Sequence, residues 1–155
     1  MPVPIAQLVA SQPFFAGFGD ALLAKVASVS ASVQLKGGTH LWKQGEQHET
    51  CYLILKGQLA LEIYLPLHGP VSVESVGPGE MLGGSGLVTS HNWSFDARAL
   101  TDVEAIAIDC TRLREMAEED HELGYHVYRC LARILDSRLT TARRRLLEQA
   151  SPNQE

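Results

Sequence analysis

The sequence predicts a mainly β fold with flanking helices, in which a jelly roll (a double-stranded β-helix) lies between a helical lead-in and a long C-terminal helix. Two observations support this prediction. From Val33 to Asp109, short β-rich runs alternate with turn residues at a spacing of about eight to twelve residues, which is typical of an antiparallel sandwich or barrel. From Thr111 onward, apolar residues recur every three or four positions, as they do along a helix. We expect one domain over residues 1–155, with the lead-in at 13–30, the roll at 33–109 and the C-terminal helices at 111–149.

The lead-in is expected to form a small helical lid on the core. Gly17 and Gly19 interrupt the chain, and Asp20 is in position to cap the helix that follows. The apolar residues of this lid are Phe14, Phe15, Phe18, Leu22, Leu23 and Val26.

The middle of the chain contains the predicted strands. Turn-forming breaks such as Gly37–Gly38, LPLHGP and GPGE separate them, and no helical pattern intervenes, which disfavours a parallel α/β sheet. The strand-like runs are SVQLK, THLWK, CYLILKG, LALEIYL, VSVESVG and VEAIAID.

The C-terminal part is predicted to hold a short helix, TRLREMAEED, and a longer one from Asp120 or His121 to about Gln149. A helix of about 28 residues is roughly 42 Å long, whereas a domain of this size has a radius of gyration near 15 Å. The helix is therefore expected to overhang its own core and to pair its apolar stripe with a second copy; packing back onto the roll is the alternative. The stripe consists of Leu123, Val127, Leu131, Ile134, Leu135, Leu139, Ala142 and Leu146.

Composition limits the function classes. A net charge of −5 argues against a free-standing nucleic-acid binder, and the sequence has no apolar run of membrane-spanning length and no secretory signal pattern at its N-terminus. The cysteines are Cys51, Cys110 and Cys130, which are dispersed and odd in number. We therefore expect no disulfide framework and no metal or iron–sulfur centre, and a cytoplasmic location.

The order of these elements and several motifs resemble the cyclic-nucleotide-binding domain family, with its catabolite-activator-like β-roll. PFFAGFGDALLAKVAS resembles the family's lead-in helices, and GGTHLWKQGEQHETCYLILKGQLAL resembles its core, where Gly45, Glu46 and Gly57 punctuate the hairpins. GPGEMLGGSGL and ARALTDVEAIAID resemble the phosphate-binding cassette and the strand that leaves it. The resemblance covers roughly Pro13 to Gln149 and implies a bacterial regulatory domain.

The cassette departs from the family pattern. The resemblance implies a glutamate directly after the cassette glycine, for the ribose hydroxyl, and an arginine about ten residues after it, for the cyclic phosphate. If Gly83 is that glycine, the two positions hold Gly84 and Trp93. Arg98 lies five residues beyond Trp93, so in a strand it faces the opposite side. The candidate ligand-binding residues are Gly83, Gly84, Ser85, Gly86, Leu87, Trp93, Ser94 and Phe95.

Other kinds of site are less well supported. His40 and His48 lack the spacing of a metal-binding cupin, and Ser85 fails the nucleophile-elbow pattern by one position, so we expect neither a metal site nor an enzyme. The run Arg143–Arg145 points around a helix rather than along one face, and we expect no direct DNA binding.

The sequence thus predicts a ligand-sensing or regulatory domain with weak or altered ligand specificity, no effector domain of its own and a homodimer helix. The ligand is a cyclic nucleotide or another small metabolite, and a protein partner receives the output. Two alternatives remain open: a dimeric interaction module whose pocket is empty or filled by Trp93 and Phe95, and cyclic-nucleotide binding through backbone amides alone.

Overall fold

A computed structural model describes residues 3–88, 91–92 and 95–150. Within these residues the strands form two four-stranded antiparallel sheets and a two-stranded ladder, which confirms the predicted jelly roll. The first sheet has the strand order β1-β10-β4-β7, the second has β2-β9-β5-β6, and the ladder pairs β3 with β8. The strands are β1 (Ser30–Leu35), β2 (His40–Trp42), β3 (Gln47–His48), β4 (Thr50–Lys56), β5 (Leu59–Leu65), β6 (Gly69–Val76), β7 (Met81–Leu82), β8 (His91–Asn92), β9 (Asp96–Ala99) and β10 (Val103–Asp109).

Helices precede and follow the roll along the chain. They are α1 (Ile5–Ala10), α2 (Gly19–Ser28), α3 (Cys110–Glu119) and α4 (His121–Ala150), and a 3₁₀ turn lies at Pro13–Phe15. The predicted cap on the lead-in helix is wrong: Phe18 occupies the N-cap position of α2, and Asp20 lies in the first turn, where an acidic side chain still complements the helix dipole. None of the helices in the described ranges carries an apolar stretch long enough to cross a membrane.

Asp120 fixes the start of α4. Its Oδ1 accepts hydrogen bonds from the backbone N–H groups of Glu122 and Leu123 at 3.1 and 3.2 Å, as an N-cap residue does. Lys25 of α2 donates to the other carboxylate oxygen, and this hydrogen bond is the main reason that the pKa of Asp120 is lowered. The lead-in is thereby tied to the point where the two C-terminal helices meet.

Two apolar clusters cover opposite faces of the first sheet. Along β4, Cys51 and Leu53 point to an outer cluster, whereas Ile54 points to the space between the sheets. The outer cluster joins the sheet to the lead-in and to α3 and α4, and the inner cluster fills the roll. Because α4 contributes to the outer cluster, part of its apolar stripe is buried by its own chain. The buried α4 residues are Leu123, Gly124, Val127, Cys130 and Leu131.

Gly57 illustrates why glycine is required at one hairpin. Its φ is +94°, and a Cβ placed there would lie 2.2 Å from the carbonyl oxygen of Asp102. Gly45 has a similar φ of +91°, but no atom lies within 4 Å of its would-be Cβ. Both residues have a left-handed backbone conformation, which favours glycine, and of the two only Gly57 is also closely packed.

Candidate functional site

The predicted cassette lies where β7 meets the C-terminal helices. Gly83 has a φ of +80°, and the chain then forms a 3₁₀ turn over Gly84–Leu87. Leu87 is 2% exposed and is anchored in the outer apolar cluster. The side chain of Ser85 lies outside the described part of the structure, as do Trp93 and Ser94 entirely, so their predicted roles stay predictions.

The backbone of the cassette is held by the turn itself and by both C-terminal helices. The N–H group of Gly86 donates to the carbonyl of Gly83 at 3.0 Å, so this amide is engaged within the turn. Arg114 of α3 donates to the Gly86 carbonyl at 2.9 Å, and the Tyr128 hydroxyl of α4 donates to the Leu87 carbonyl at 3.4 Å. A shift of the cassette would therefore break or move these side-chain hydrogen bonds from α3 and α4.

The space beside Gly84 is taken by α4. A Cβ at this position would lie 2.8 Å from Cδ1 of Leu131, a residue that is 3% exposed. Contacts this short do not occur between well-packed side chains. A residue with a side chain at position 84 therefore requires the Cδ1 methyl of Leu131, the far end of a flexible side chain, to shift.

The buried thiols of Cys110 and Cys51 lie next to each other, and that of Cys110 contacts the cassette. The Cys110 thiol contacts the Gly83 carbonyl at 3.9 Å. A hydrogen bond between Cys51 and Cys110, together with burial, raises the pKa of Cys51. Thiols that stay protonated and buried behave as packing groups rather than as nucleophiles. No group of three His, Cys, Asp or Glu side chains within the described ranges is arranged to hold a metal ion.

A charged cleft of about 300 Å³ lies between α4 and the β6–β7 turn, next to the cassette. The sequence analysis missed it, because the residues on its two walls lie far apart along the chain. The charged side chains that line it are Glu74, Glu80, Arg133, Arg138 and Arg145. Arg138 is half-buried and donates a hydrogen bond to the carbonyl of Met81, two residues before Gly83.

The model of the cyclic nucleotide-binding domain family matches residues 32–120, which is more than half of the chain. The chain belongs to the cyclic nucleotide-binding domain family. The predicted resemblance is thereby confirmed, and this family is one of regulatory domains.

Three relatives show how far the likeness to other cyclic nucleotide-binding domains extends. A protein from Geobacter metallireducens GS-15, assigned as cyclic nucleotide-binding, is 29% identical with a TM-score of 0.76, over 90% of this chain and 99% of that one. A cyclic nucleotide-binding domain from Methylobacillus flagellatus KT is 19% identical with a TM-score of 0.78, over 94% of this chain and 82% of that one, and shows the fold alone. The CRP-like cAMP-activated global transcriptional regulator of Mycobacterium tuberculosis is 22% identical over 129 residues, which are 83% of this chain and 58% of that protein.

Aromatic side chains belong to the inner cluster of this cyclic nucleotide-binding domain or pack against it. Trp42 is buried, stacks on Tyr52 at a centroid distance of 5.7 Å, and donates from Nε1 to the carbonyl of Phe95 at 2.7 Å. Phe95 itself is half-buried against the inner cluster. The sequence analysis did not select Trp42 as a residue of the roll interior, and the predicted ligand-binding role of Phe95 stays a prediction.

Arg98 lies on the outer face of the second sheet. Its neighbours Ala97 and Ala99 point into the inner cluster, and Arg98 instead makes a two-pronged hydrogen-bonded pair with Glu62 of β5, at 2.9 and 3.0 Å. The Glu62 side chain is only 9% exposed. The hydrogen bonds from Arg98 are the main reason that the pKa of Glu62 is lowered, and the nearby His40 adds to the shift.

Arg98→Met is expected to lower the free energy of unfolding by about 1–3 kcal/mol, because it leaves a buried carboxylate without its hydrogen bonds. Lys56→Met is a matched control: it breaks the Lys56–Glu104 pair, whose lysine is 76% exposed, and should cost less than about 1 kcal/mol. Urea denaturation measures both. Equal losses in the two variants would contradict the assignment.

The Arg98–Glu62 pair also predicts a pH dependence. Because the pKa of Glu62 is lower in the folded protein than in the unfolded chain, the pair stabilises the fold above the ordinary glutamate pKa of about 4.3. This contribution is lost as the pH falls through the lowered value. Thermal unfolding of the parent protein should show a steeper decrease in Tm below about pH 4.3 than Glu62→Gln does.

Proposed function

We propose that this member of the family is a ligand-sensing regulatory domain whose pocket has lost the preference for cyclic nucleotides. The observation that carries the proposal is the contact at Gly84, the position at which the family resemblance implies a glutamate for the ribose. There, a would-be Cβ lies 2.8 Å from Cδ1 of Leu131, so a glutamate at this position would require the Leu131 side chain of α4 to move. Trp93 stands where the same resemblance implies an arginine.

The binding free energy that is lost without the glutamate and the arginine supports an altered ligand specificity. Removing one partner of a buried charge pair costs about 2–5 kcal/mol of binding free energy, and about 1.4 kcal/mol is a tenfold change in Kd. We propose that backbone amides recover only part of this binding free energy, because the Gly86 N–H already donates to the Gly83 carbonyl. A cyclic-nucleotide site of micromolar affinity would therefore become a millimolar one. We propose a regulatory role without catalytic activity.

The second part of the proposal is that α4 transmits the signal from the ligand site. A second apolar stripe lies on α4, apart from the stripe that packs on the core, and its alternating steps of four and three residues are those of a coiled coil. We propose that it pairs with a second copy of the chain. The stripe comprises the exposed residues Tyr128, Ala132, Leu135, Leu139, Ala142 and Leu146.

Tyr128 connects the two parts. It is the first residue of the exposed stripe, and its hydroxyl bonds to the Leu87 carbonyl of the cassette. A ligand that prefers a shifted cassette would change the position of Tyr128 and hence the pairing of the stripe. The domain would act in the cytoplasm, without direct DNA contact of its own, and pass its signal to a protein partner.

Thermal unfolding in the presence of ligands tests the proposal. A compound that binds only the folded state raises the Tm by mass action, so at least one metabolite in a panel should do so, while cyclic AMP and cyclic GMP at 100 μM should not, roughly as expected for millimolar sites. Micromolar binding of either cyclic nucleotide, measured by calorimetry, would contradict altered specificity. A panel without any stabilising compound would favour the alternative of a dimeric interaction module with a filled pocket.

A further inference from the structure

β1 is an exposed edge strand without the features that usually block pairing at the edge of a sheet. It lies at one end of the first sheet, next to β10. Ala31, Ser32 and Gln34 are exposed, and the strand contains no charged residue and no proline. Its register with β10 is continuous over six residue pairs, so no bulge bends it away. A regular, exposed edge of this kind is a template for pairing with another chain.

The other edges of the two four-stranded sheets are protected. β7 has two residues and β2 has three, so each offers little backbone for pairing. β6 is longer, but it carries Pro70 and Glu74, and its register with β5 shifts once along its length. Of these edges, β1 is therefore the one that best accepts a further strand.

The hydrogen bonds of β1 show which of its backbone groups face outward. The N–H group of Asp109 donates to the Val29 carbonyl at 2.9 Å, so this carbonyl points toward β10. The C=O of one residue and the N–H of the next point in opposite directions, and along a strand this direction alternates with each residue. Ser30, Ser32 and Gln34 therefore direct their N–H and C=O groups away from β10.

The side chains of β1 match those of a second copy of the same strand. Antiparallel pairing that uses all three outward residues places Ser32 opposite Ser32, and Ser30 opposite Gln34 of the other copy, with about six backbone hydrogen bonds. In this register Ala31 lies opposite Val33, on the face where Val33 packs against the inner cluster. Apolar side chains thus meet on one face, and hydroxyl and amide groups meet on the other.

The charges beside the two ends of β1 favour the same partner. Lys36 follows the strand at one end and is exposed. At the other end, Ser28 lines a groove that also contains three carboxylates and one guanidinium. The antiparallel register brings Lys36 of one copy toward Ser28 of the other, so a lysine approaches a groove of net negative charge. The charged residues of this groove are Glu49, Asp109, Arg112 and Glu115.

We propose that β1 pairs with β1 of a second copy of the chain, which makes the first sheet continuous across the two copies. This contact is separate from the proposed pairing of α4 and does not depend on it. Because each chain then has two self-complementary surfaces, pairs formed through α4 are linked through β1 into larger assemblies.

Disulfide trapping with the full chain and oxidised glutathione tests this register. Ser32→Cys should cross-link to itself, because the Cα atoms of a hydrogen-bonded pair are about 5.5 Å apart, within the disulfide range of about 4.4–6.8 Å. Ser30→Cys or Gln34→Cys alone should cross-link at least roughly tenfold more slowly, since the two copies of either residue lie about 14 Å apart along the strands. An equimolar mixture of these two variants should cross-link readily. The parent protein is the blank, because its cysteines are buried.

A charge at the centre of the pair provides a second test. Ser32→Lys, added to both members of the Ser30→Cys and Gln34→Cys mixture, should lower the cross-linking rate at least about fivefold, because two lysines would lie opposite each other. Ser72→Lys is the matched control, since Ser72 is an exposed serine on the edge strand β6 of the other sheet. It should leave the rate unchanged. Thermal unfolding should show that each variant keeps the Tm of the parent within about 3 °C.

The same cysteines in the Leu135→Glu/Leu139→Glu background separate this contact from the one through α4. Cross-linking at position 32 should persist there, and its loss would mean that α4 holds the strands together and that an independent contact is wrong. The inference would also be overturned if Ser32→Cys does not cross-link, if Gln34→Cys alone cross-links as fast, or if Ser72→Lys has the effect of Ser32→Lys. A failure of the proposed function is distinguishable, because it appears in ligand binding and leaves these cross-links unchanged.

Discussion

Cyclic AMP is expected to bind the triple variant Gly84→Glu/Trp93→Arg/Leu131→Ala at least about a hundredfold more tightly than it binds the parent protein. The first two changes supply the carboxylate and the guanidinium that the family resemblance implies, each worth about 2–5 kcal/mol when buried and paired. The third clears the Cδ1 atom that lies 2.8 Å from a Cβ at position 84. Calorimetry at fixed ionic strength measures the gain.

Variants that carry only some of the three substitutions show which of them the gain in affinity depends on. Gly84→Glu/Trp93→Arg, with Leu131 intact, should gain less affinity, because the Cβ of the new glutamate would lie 2.8 Å from Cδ1 of Leu131 and this side chain must shift to admit it. Leu131→Ala alone should gain none, although it costs about 2–5 kcal/mol of stability as a cavity-forming change. If the double variant binds cyclic AMP as tightly as the triple variant, α4 does not control access to position 84.

A smaller pair of substitutions tests the same contact without placing a charge in the core. Gly84→Ala should destabilise the parent protein, whereas in the Leu131→Ala background it should cost less, with a coupling of about 0.5–2 kcal/mol in urea denaturation. Additive losses would mean that Gly84 and Leu131 are not in contact. This measurement stands even if the triple variant does not fold.

The sequence predicts the long strands well and the short ones poorly. β4, β5 and β10 have enough alternating apolar residues to be recognised, and Gly57 marks the hairpin between β4 and β5. In contrast, β3, β7 and β8 have two residues each and exist only because a distant segment lies in register beside them. Such ladders depend on tertiary pairing, which local patterns do not contain.

The candidate site shows a similar division. The family resemblance predicts the cassette at Gly83–Leu87, since glycines and their spacing are local features. It did not locate Arg138 or Glu80, because nothing along the chain indicates that α4 crosses the β6–β7 turn. From the apolar pattern of α4, two separate stripes were predicted as one. Leu123, Val127 and Leu131 pack on the core of their own chain, so the prediction that they pair with a second copy is wrong.

Leu135→Glu/Leu139→Glu is expected to convert a dimeric protein into a monomer without loss of the fold. Both leucines are 49% exposed and lie at adjacent positions of the coiled-coil stripe on α4. Burying a leucine contributes about 1.5–3 kcal/mol, so two charges per chain at the interface should raise the dimer Kd far more than a hundredfold. Analytical ultracentrifugation at tens of micromolar, roughly the range in which such a change is visible, measures the outcome.

Leu147→Glu is the matched control for the dimer. Leu147 is 70% exposed on the same helix, but it lies beside the stripe rather than on it, so this variant should stay dimeric. The thermal unfolding of both variants should show an intact core, because Leu123, Val127 and Leu131 are unchanged. A monomeric parent protein, or a dimer that tolerates both glutamates, would mean that the exposed stripe serves another partner. In that case Tyr128 would still connect the cassette to the stripe, and the signal would leave the domain through that partner instead of through a second copy.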